Sequence, residues 1–339
     1  MEPQFRQGSH TFRPFSATAG VQCRSVSQPL QRVVTDFGAD HPFRQISGKL
    51  QEHYGIDIPH ETARRITQLH GNSIVESQVL EKTWPCGEAG EDCIVVEIDG
   101  SMVPVVQSDP KSADKRKNKT LEWKELKLCS ARELGSTRPV YGGTFSGGVE
   151  EAGRQLYHCA YQAGLGSQTQ VHGVGDGAPW ISNQVEERFG KQGAYLIDFY
   201  HLSEYLGEAA KTCSSEPTVW QKQQEANLKM NRPAKVLEAM WPHFEDVSVP
   251  DEKAPVRKAH RYLKNRLSQV NYREAIEKKR PIGSGEIESA HRFVVQERLK
   301  KAGAWWAPKN IDPMLALRLI RINGQWAAYW DNKTRGEAA

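Results

Sequence analysis

The sequence predicts a mixed α/β fold, in which a sheet of antiparallel and parallel strands is preceded by a small helical segment and interrupted by an all-helical insertion. Three observations predict it. Residues 93–130 contain short apolar runs with the alternation of strands, the following apolar runs alternate with helical patterns, and residues 216–279 carry helical patterns alone.

The composition is that of an ordinary globular protein. The 339 residues suffice for two domains, or for one large domain with an insertion, and 25% of them are charged. No apolar run approaches the roughly 18 residues that span a bilayer, and residues 1–27 lack the apolar core of a secretory signal. We therefore expect a cytoplasmic protein without a membrane partner, and the six scattered cysteines, which form no CxxC pair, are expected to be reduced thiols.

The N-terminal part is expected to contain little regular structure before residue 41. Residues 1–40 lack clear periodicity and are predicted to be disordered. Residues 41–75 then show helical spacing of apolar side chains, namely Phe43, Ile46, Leu50 and Tyr54. Residues 76–92 read as a linker to the next domain.

Within residues 41–75, a glycine-containing break separates two short helical patterns. This arrangement is typical of a helix-turn-helix that binds DNA, with Arg64 and Arg65 on an exposed face of the second helix. A plain helical hairpin that packs on the next domain fits the same pattern, and the spacing does not separate the two.

Residues 93–212 are predicted to form the first part of the sheet domain. Strands at 93–98 and 102–106 flank Asp99 and Gly100, a pair that favours a hairpin turn, and a third strand covers 121–130. Helices and strands then alternate: helix to 163, strand 168–175, helix 180–189, strand 194–198, helix 199–211. Three strands in a meander followed by strands that pair in parallel are the element order of a ribonuclease H-like fold.

The remaining residues have no place in that minimal fold until a last helix closes it. Residues 213–280 are expected to be the all-helical insertion. Residues 281–331 then contain a basic helix that begins near Ser284 and an amphipathic C-terminal segment, followed by a tail at 332–339.

Three carboxylates are the candidate catalytic residues, and each has an ordinary structural alternative. Asp99 ends an apolar strand, where it is a metal ligand or simply part of a hairpin turn. Asp176 ends a second strand, at the edge where α/β sheets bind ligands, or it caps the next helix. Glu288 lies on the basic helix, where it faces the same site or forms an ion pair with Arg292; Glu286, two residues earlier, cannot share its face.

Four further residues are predicted to support these carboxylates. Asp198 closes a strand and His201 follows within one helical turn, so the pair either supports the metal shell or is a capping Asp with a core-facing His. His291 and Arg292 share the helix face of Glu288, and Arg292 is placed to contact phosphate.

The ligand chemistry of Asp99, Asp176 and Glu288 points to a hard divalent metal. Oxygen-only ligands select Mg²⁺, for which Mn²⁺ can substitute. Two such ions about 4 Å apart activate an attacking oxygen and stabilise the leaving one in phosphodiester chemistry.

Basic and aromatic side chains near the C-terminus are candidate nucleic-acid contacts. Arg298, Lys300 and Lys301 are expected to bind phosphate, as is the basic run at 115–119, although such runs are as often solvated surfaces. Four tryptophans are candidates for base stacking, but core packing is the commoner role: Trp305, Trp306, Trp326 and Trp330.

In combination, these motifs resemble the DDE transposases of bacterial insertion sequences, specifically the Kra-type family, with kinship to Mutator-like elements. The matching stretches are residues 96–100 (VEIDG), 175–180 (GDGAPW), 198–201 (DFYH), 283–289 (GSGEIES) and 298–303 (RLKKAG). The resemblance covers about residues 93–331. It implies a ribonuclease H-like domain with a helical insertion before the Glu, and metal ligation by Asp99, Asp176 and Glu288.

The activity implied by this resemblance is metal-dependent cleavage at element ends and strand transfer to target DNA. The partners would be terminal inverted repeats and target double-stranded DNA, bound by a homo-oligomer at the nucleoid. Relatives are often longer at the N-terminus, so a truncated, inactive DNA-binding remnant or repressor of the element remains the alternative. A cellular ribonuclease H-like nuclease fits less well because of the long insertion.

Overall fold

The computed structural model describes residues 5–8, 10–12, 26–80, 83–84, 87–108 and 118–336. It begins with a short antiparallel hairpin, β1 (Phe5–Gln7) and β2 (His10–Phe12). The other parts of the expected disordered segment before residue 26 lie outside the described residues.

Residues 28–40, also expected to be disordered, instead form the helix α1 (Gln28–Asp40). Its buried face consists of Gln31, Val34, Thr35, Gly38 and Ala39. Leu30, Val33, Val34 and Phe37 nevertheless recur at helical spacing and pack in or against the core of the N-terminal helices, so the helical pattern is present in the sequence and was missed. The expectation of disorder was therefore wrong for this helix.

Two further helices, α2 (Phe43–Tyr54) and α3 (His60–Ser77), form where two helices were expected. Gly55 ends α2 in the left-handed conformation, with φ of 64°. The three helices share a core that includes Val34, Ile46, Leu50 and Ile66.

A five-stranded mixed sheet forms the centre of the molecule. Its strands are β3 (Cys93–Ser108), β4 (Lys119–Glu133), β5 (Val140–Thr144), β6 (Gln170–Gly175) and β7 (Gly193–Ile197). The spatial order is β5-β4-β3-β6-β7, with antiparallel pairing among β5, β4 and β3 and parallel pairing of β3, β6 and β7.

The hairpin expected at Asp99 and Gly100 does not form, because β3 runs straight through both residues. Asp99 pairs with Leu128 and Gly100 with Lys127 of β4. The two strands expected at 93–98 and 102–106 are thus one strand, β3. The strand expected at 121–130 is β4, and the third strand of the meander is β5, which lies in a glycine-rich stretch. A long ladder with β4 satisfies more backbone groups than a tight turn at Asp99 would.

Helices cover both faces of the sheet and form the insertion. After β5 come α4 (Gly148–Gln162), α5 (Pro179–Phe189) and α6 (Phe199–Cys213); the insertion contains α7 (Pro217–Lys229), α8 (Pro233–Met240), α9 (Pro255–Lys264) and α10 (Tyr272–Glu277). The chain ends with α11 (Gly285–Ala290), a π-helical segment (His291–Gln296), α12 (Glu297–Leu299), α13 (Ile311–Ile322) and α14 (Trp326–Gly336).

Three hydrophobic cores follow from this arrangement. One face of β3 presents Ile94, Val96 and Ile98 to α4 and α5. The opposite face presents Val103 and Val105 to α11, the π-helical segment and α13. The insertion packs on α6 through a third core, so it is joined to the sheet domain rather than held away from it.

Within the described ranges no helix is long and apolar enough to cross a membrane. Cys93, Cys129, Cys159 and Cys213 are buried free thiols, and Cys23 and Cys86 lie outside the described residues.

Candidate active site

The ends of β3 and β6 bring Asp99 and Asp176 to the same edge of the sheet. Glu97 and Val174 are the last paired residues of these two parallel strands. Asp99 and Asp176 each follow two residues later, so they stand opposite one another in the continued register. Side chains two residues apart project from one face of a strand, so Asp99, like Glu97, lies on the face that α11 covers, and Asp176 lies in the turn just after β6.

Asp198, at the end of β7, is buried and fully occupied by hydrogen bonds. Its main-chain N–H continues the sheet by donating to Gly175 O over 2.7 Å. Oδ1 accepts from the N–H groups of Tyr200 (2.6 Å) and His201 (3.0 Å). Oδ2 accepts from Ser284 N (2.6 Å) and Ser284 Oγ (2.7 Å). Asp198 is thus the cap of α6 and at the same time fixes the loop that begins α11.

Helix α11 brings Glu288 to these aspartates. Ile287 N–H donates to the buried carboxylate of Glu97 over 2.9 Å, which ties α11 to β3 one residue before Glu288 and two residues before Asp99. Burial raises the pKa of Glu288, and the nearby carboxylates of Asp198 and Asp99 raise it further. The carboxylates of Asp99, Asp198 and Glu288, from two strands and one helix, therefore repel one another.

Glu286 and Glu288 have different surroundings. Tyr141 donates its hydroxyl to Glu286 Oε1 over 2.5 Å, which occupies that carboxylate on the side of β5. Glu288 is exposed and lies near Asp198 and Asp99. The ion pair between Glu288 and Arg292, which the sequence leaves open, is not formed in the described structure, and Arg292 is exposed one turn further along.

Two histidines border the carboxylates. His291 is buried, and its Nε2 lies 3.3 Å from Asp99 Oδ2. Neither ring nitrogen makes a hydrogen bond of good geometry within the described residues, and the helix widens to π geometry from this residue on, a feature frequent at functional sites. His201 is half-exposed rather than core-facing, with Nδ1 3.9 Å from Glu204 Oε2, and its charge lowers the pKa of Glu288.

The turn that carries Asp176 is held tightly. Asp176 Oδ1 accepts from Ala178 N over 2.8 Å, which closes a turn before α5 but does not cap the helix, whose N-cap residue is Ala178. Gly177 adopts a φ of 82° and donates its N–H to Tyr195 Oη over 3.0 Å. Only one oxygen of Asp176 is used in this way.

Three residues of the site were missed by sequence reasoning. Glu97 could have been found, because it shares a strand face with Asp99. Tyr262 and Arg266 donate hydrogen bonds to the main chain of the Asp176 turn from the insertion. They stand 86 and 89 residues away in sequence, and no spacing pattern connects them to the turn.

The donor set fits a hard cation in its chemistry. All three expected ligands are carboxylates, and a cation would relieve the repulsion that raises the pKa of Glu288. The unpartnered nitrogens of His291 beside Asp99 also leave room for a further polar group. In the part of the chain that the structure describes, no group of three His, Cys, Asp or Glu side chains is close enough together to form a metal-binding cluster.

Comparison with known proteins identifies a family. Residues 160–334, about half of the chain, match the model described as "Uncharacterised protein family (UPF0236)". The chain belongs to this family. No curated protein matches the sequence. The match to UPF0236 contains Asp176, Asp198 and Glu288 and begins after Asp99.

The residues expected to bind DNA occupy very different places. Arg65 is exposed, and Arg64 pairs with Glu61 on the surface of α3. Arg298, inside the region matched by UPF0236, is only 2% exposed and donates its Nε–H to Gly38 O over 3.0 Å. A buried guanidinium cannot reach a phosphate, so the expectation for Arg298 was wrong.

The neighbouring lysines are partly accessible. Lys300 Nζ donates to Ser101 Oγ over 2.7 Å, on the strand face that carries Asp99. Burial lowers the pKa of Lys300, and the nearby Asp99 carboxylate opposes that effect. Lys301 is half-buried. Of the basic run at 115–119, residues 115–117 lie outside the described residues.

The four C-terminal tryptophans are mostly core residues. Trp306 and Trp330 are buried, and Trp326 packs against the core beside α13. Trp305 is 38% exposed and makes an edge-to-face contact with Trp123, whose ring centroid lies 6.2 Å away. Of the four, Trp305 is the most exposed, and Trp326 is half-buried.

Proposed function

We propose that this protein is a DDE transposase, which cleaves double-stranded DNA at the terminal inverted repeats of an insertion sequence and joins the ends to target DNA. The observation that carries the proposal is that Asp99 and Asp176 follow the ends of the paired segments of β3 and β6, with Glu288 near Asp99 and Asp198. Their sequence neighbourhoods are the ones that resemble the Kra-type transposases. By the same resemblance, the active form is a homo-oligomer on DNA.

The topology of the sheet supports this proposal. A meander of β3, β4 and β5, followed by β6 and β7 parallel to β3, is the strand arrangement expected of a ribonuclease H-like domain. The insertion between α6 and α11 lies before the glutamate, where the resemblance requires it.

Each polar residue of the site has a role in this proposal. Asp99, Asp176 and Glu288 would hold Mg²⁺, or Mn²⁺ in its place; two such ions, when bound, supply activation of the attacking oxygen and neutralisation of the phosphate charge. Asp198 fixes the loop before α11 and so orients Glu288. His291 supports Asp99, and the exposed Arg292 contacts phosphate.

Cleavage of the element's own ends tests the proposal. The substrate is duplex DNA from the genomic sequence that flanks the gene, incubated with the full chain and Mg²⁺, with strand nicks detected on denaturing gels. We expect nicking by the native protein, and its loss in Asp99→Asn, Asp176→Asn and Glu288→Gln, because each substitution removes one anionic ligand while it preserves the size of the side chain.

Glu286→Gln is the matched control, since it changes a neighbouring glutamate whose partner is Tyr141. It should retain nicking. Loss of nicking in Glu286→Gln with retention in Glu288→Gln would show that Glu286, and not Glu288, is the ligand. Absence of any Mg²⁺-dependent nicking by the native protein would overturn the proposal.

A second candidate is a DNA-binding repressor or remnant of the element without catalysis. It is favoured by the three-helix unit α1–α3 with exposed Arg65, and by the lack of an assembled metal-binding cluster among the described residues. Specific binding to the flanking DNA, with no nicking at any Mg²⁺ or Mn²⁺ concentration, would support this candidate over the transposase.

A further inference from the structure

The helical insertion reaches the turn that carries Asp176. Tyr262, on α9, donates its hydroxyl to the main-chain oxygen of Asp176 over 2.6 Å. Arg266, just after α9, donates its Nε–H to the main-chain oxygen of Gly177 over 2.7 Å. Two consecutive carbonyl groups at the candidate site are thus bound by side chains of the insertion.

These contacts leave the turn little freedom. The N–H of Gly177 is bound to Tyr195, and that of Ala178 to Asp176 Oδ1. A Cβ added to Gly177 would lie 2.5 Å from Tyr262 Oη and 2.9 Å from Arg266 Nε, which measures how closely the insertion approaches the turn. The absence of a side chain at Gly177 is therefore required for this approach.

The two insertion side chains are themselves held rigidly. The Arg266 guanidinium lies 4.2 Å from the centroid of the Tyr262 ring, and its Nη1 donates to Tyr262 O over 3.1 Å. The other side of the Tyr262 ring stacks on Tyr205 of α6, with centroids 4.3 Å apart and an interplanar angle of 15°. Ala259 and Leu263 bury α9 against α6, so the insertion and the sheet domain share a hydrophobic core at this point.

We propose that Tyr262 and Arg266 are positioning residues that fix the Asp176 carboxylate for metal binding, so that the insertion completes the metal site without supplying a ligand. The proposal rests on the proposed function, because it assumes that Asp176 is a ligand. A main-chain turn held at both carbonyl groups presents its side chain in one orientation, and loss of such support typically weakens metal affinity by about 10-fold or more.

The test is Mn²⁺ binding to the full chain without DNA, measured by isothermal titration calorimetry and by the electron paramagnetic resonance signal of free Mn²⁺. Tyr262→Phe removes only the hydroxyl that binds Asp176 O. We expect its Kd for Mn²⁺ to rise about 10-fold over the native value. Arg266→Gln should raise the Kd by a similar factor, since it removes the guanidinium donor to Gly177 O.

Two controls separate positioning from general stability. Tyr205→Phe removes a hydroxyl from the ring that stacks on Tyr262, without touching the turn, and should leave the Kd unchanged. Tyr272→Phe removes a buried hydroxyl that donates to Ile197 O over 3.1 Å, and should lower the melting temperature with the Kd unchanged. An unchanged Kd in Tyr262→Phe, or an equal rise in Tyr205→Phe, would overturn the inference.

Asp176→Asn distinguishes this failure from failure of the proposed function. If Asp176→Asn abolishes Mn²⁺ binding while Tyr262→Phe binds like the native protein, only the positioning role is wrong. If Asp176→Asn binds Mn²⁺ like the native protein, or the native protein binds none, the metal site of the proposed function is wrong and the positioning role is overturned with it.

Discussion

Glu97 is a buried carboxylate with an unusual pKa. It is 2% exposed, and its hydrogen bond from Ile287 N–H joins β3 to α11. Burial raises its pKa to about 7; the bond from Ile287 and the charge of Arg132 oppose the rise, and the carboxylates of Glu286 and Asp198 add to it. The folded protein therefore binds a proton at Glu97 more tightly than the unfolded chain does.

The stability of the metal-free protein should consequently fall as pH rises through the pKa of Glu97. Below the ordinary value of 4.5 both states are protonated and the stabilisation is complete; it is lost between 4.5 and about 7. Glu97→Gln, which mimics the protonated side chain, should gain about 3 kcal/mol in unfolding free energy relative to the native protein over this interval. Urea unfolding in chelator at several pH values measures the difference.

An exposed residue provides the control for this measurement. Glu216→Gln removes one carboxylate from the surface and should leave the unfolding free energy within about 0.5 kcal/mol of the native value at each pH. A difference between Glu97→Gln and the native protein that stays constant from pH 4.5 to 8 would contradict the assignment.

At the scale of single residues, local patterns in the sequence pointed to candidate carboxylates but not to the partners that hold them. Asp99, Asp176 and Glu288 could be chosen because each lies at the end of a strand or on a basic helix. That Asp198 uses both oxygens in four hydrogen bonds could not be foreseen, since two of the donors come from Ser284, 86 residues away. Hydrogen bonds between distant segments leave no trace in local periodicity.

Helix α3 is tied to the first and last helices through one histidine. His70 is buried; its Nε2 lies 2.9 Å from Gln31 Oε1 of α1, and its Nδ1 lies 2.8 Å from Tyr329 Oη of α14. A neutral ring with the proton on Nε2 satisfies both contacts, because Tyr329 can donate to Nδ1. Burial lowers the pKa of His70 to about 4, and the charge of Lys333 lowers it further.

The contacts of these helices should therefore weaken in mild acid. The unfolded chain protonates His70 near 6.5, whereas the folded protein resists protonation down to about 4, so stability is complete above 6.5 and falls below it. The loss approaches about 3 kcal/mol for this residue. His70→Gln should be less stable at pH 7.5 but should lose less stability than the native protein between pH 6.5 and 4.5, as measured by urea unfolding.

His172 behaves as a second source of acid sensitivity, because burial lowers its pKa to about 4 as well. His172 Nε2–H donates to Pro281 O over 2.8 Å, away from α3, so its contribution should add independently. The double variant His70→Gln, His172→Gln should show the shallowest dependence on pH. An unchanged slope in both single variants would contradict this account.

At the scale of elements, alternation and helical spacing located most strands and helices within a few residues. The prediction failed at two places. Asp99 and Gly100 favour a turn locally, but the long partner strand β4 keeps β3 extended. Helix α1 was missed although Leu30, Val33, Val34 and Phe37 have helical spacing, because polar residues surround them in the sequence.

For the whole molecule, the basic C-terminal residues prove to be internal connections. Arg318 Nη1 and Arg321 Nη1 each lie 2.6 Å from an oxygen of Asp40, at the end of α1. Arg298 bonds Gly38 O and stacks over Phe43. Much of the positive charge that the sequence offers for phosphate contact is thus used to hold the first helix against the C-terminal helices.

Substitutions of an exposed and a buried arginine should therefore distinguish an effect on DNA binding from an effect on folding. Arg65→Ala removes an exposed charge and should weaken binding to flanking DNA, reducing the slope of log affinity against log salt concentration by about 1, with no change in melting temperature.

Arg298→Ala leaves Gly38 O unpaired and empties a packed site, so it should cost about 3 kcal/mol of unfolding free energy. At temperatures where Arg298→Ala remains folded, its salt dependence should equal that of the native protein, because a side chain inside the molecule releases no counterions from DNA. Fluorescence anisotropy at several salt concentrations, with thermal unfolding of the same samples, measures both; a reduced salt slope with native stability in Arg298→Ala would return that residue to the DNA-binding surface.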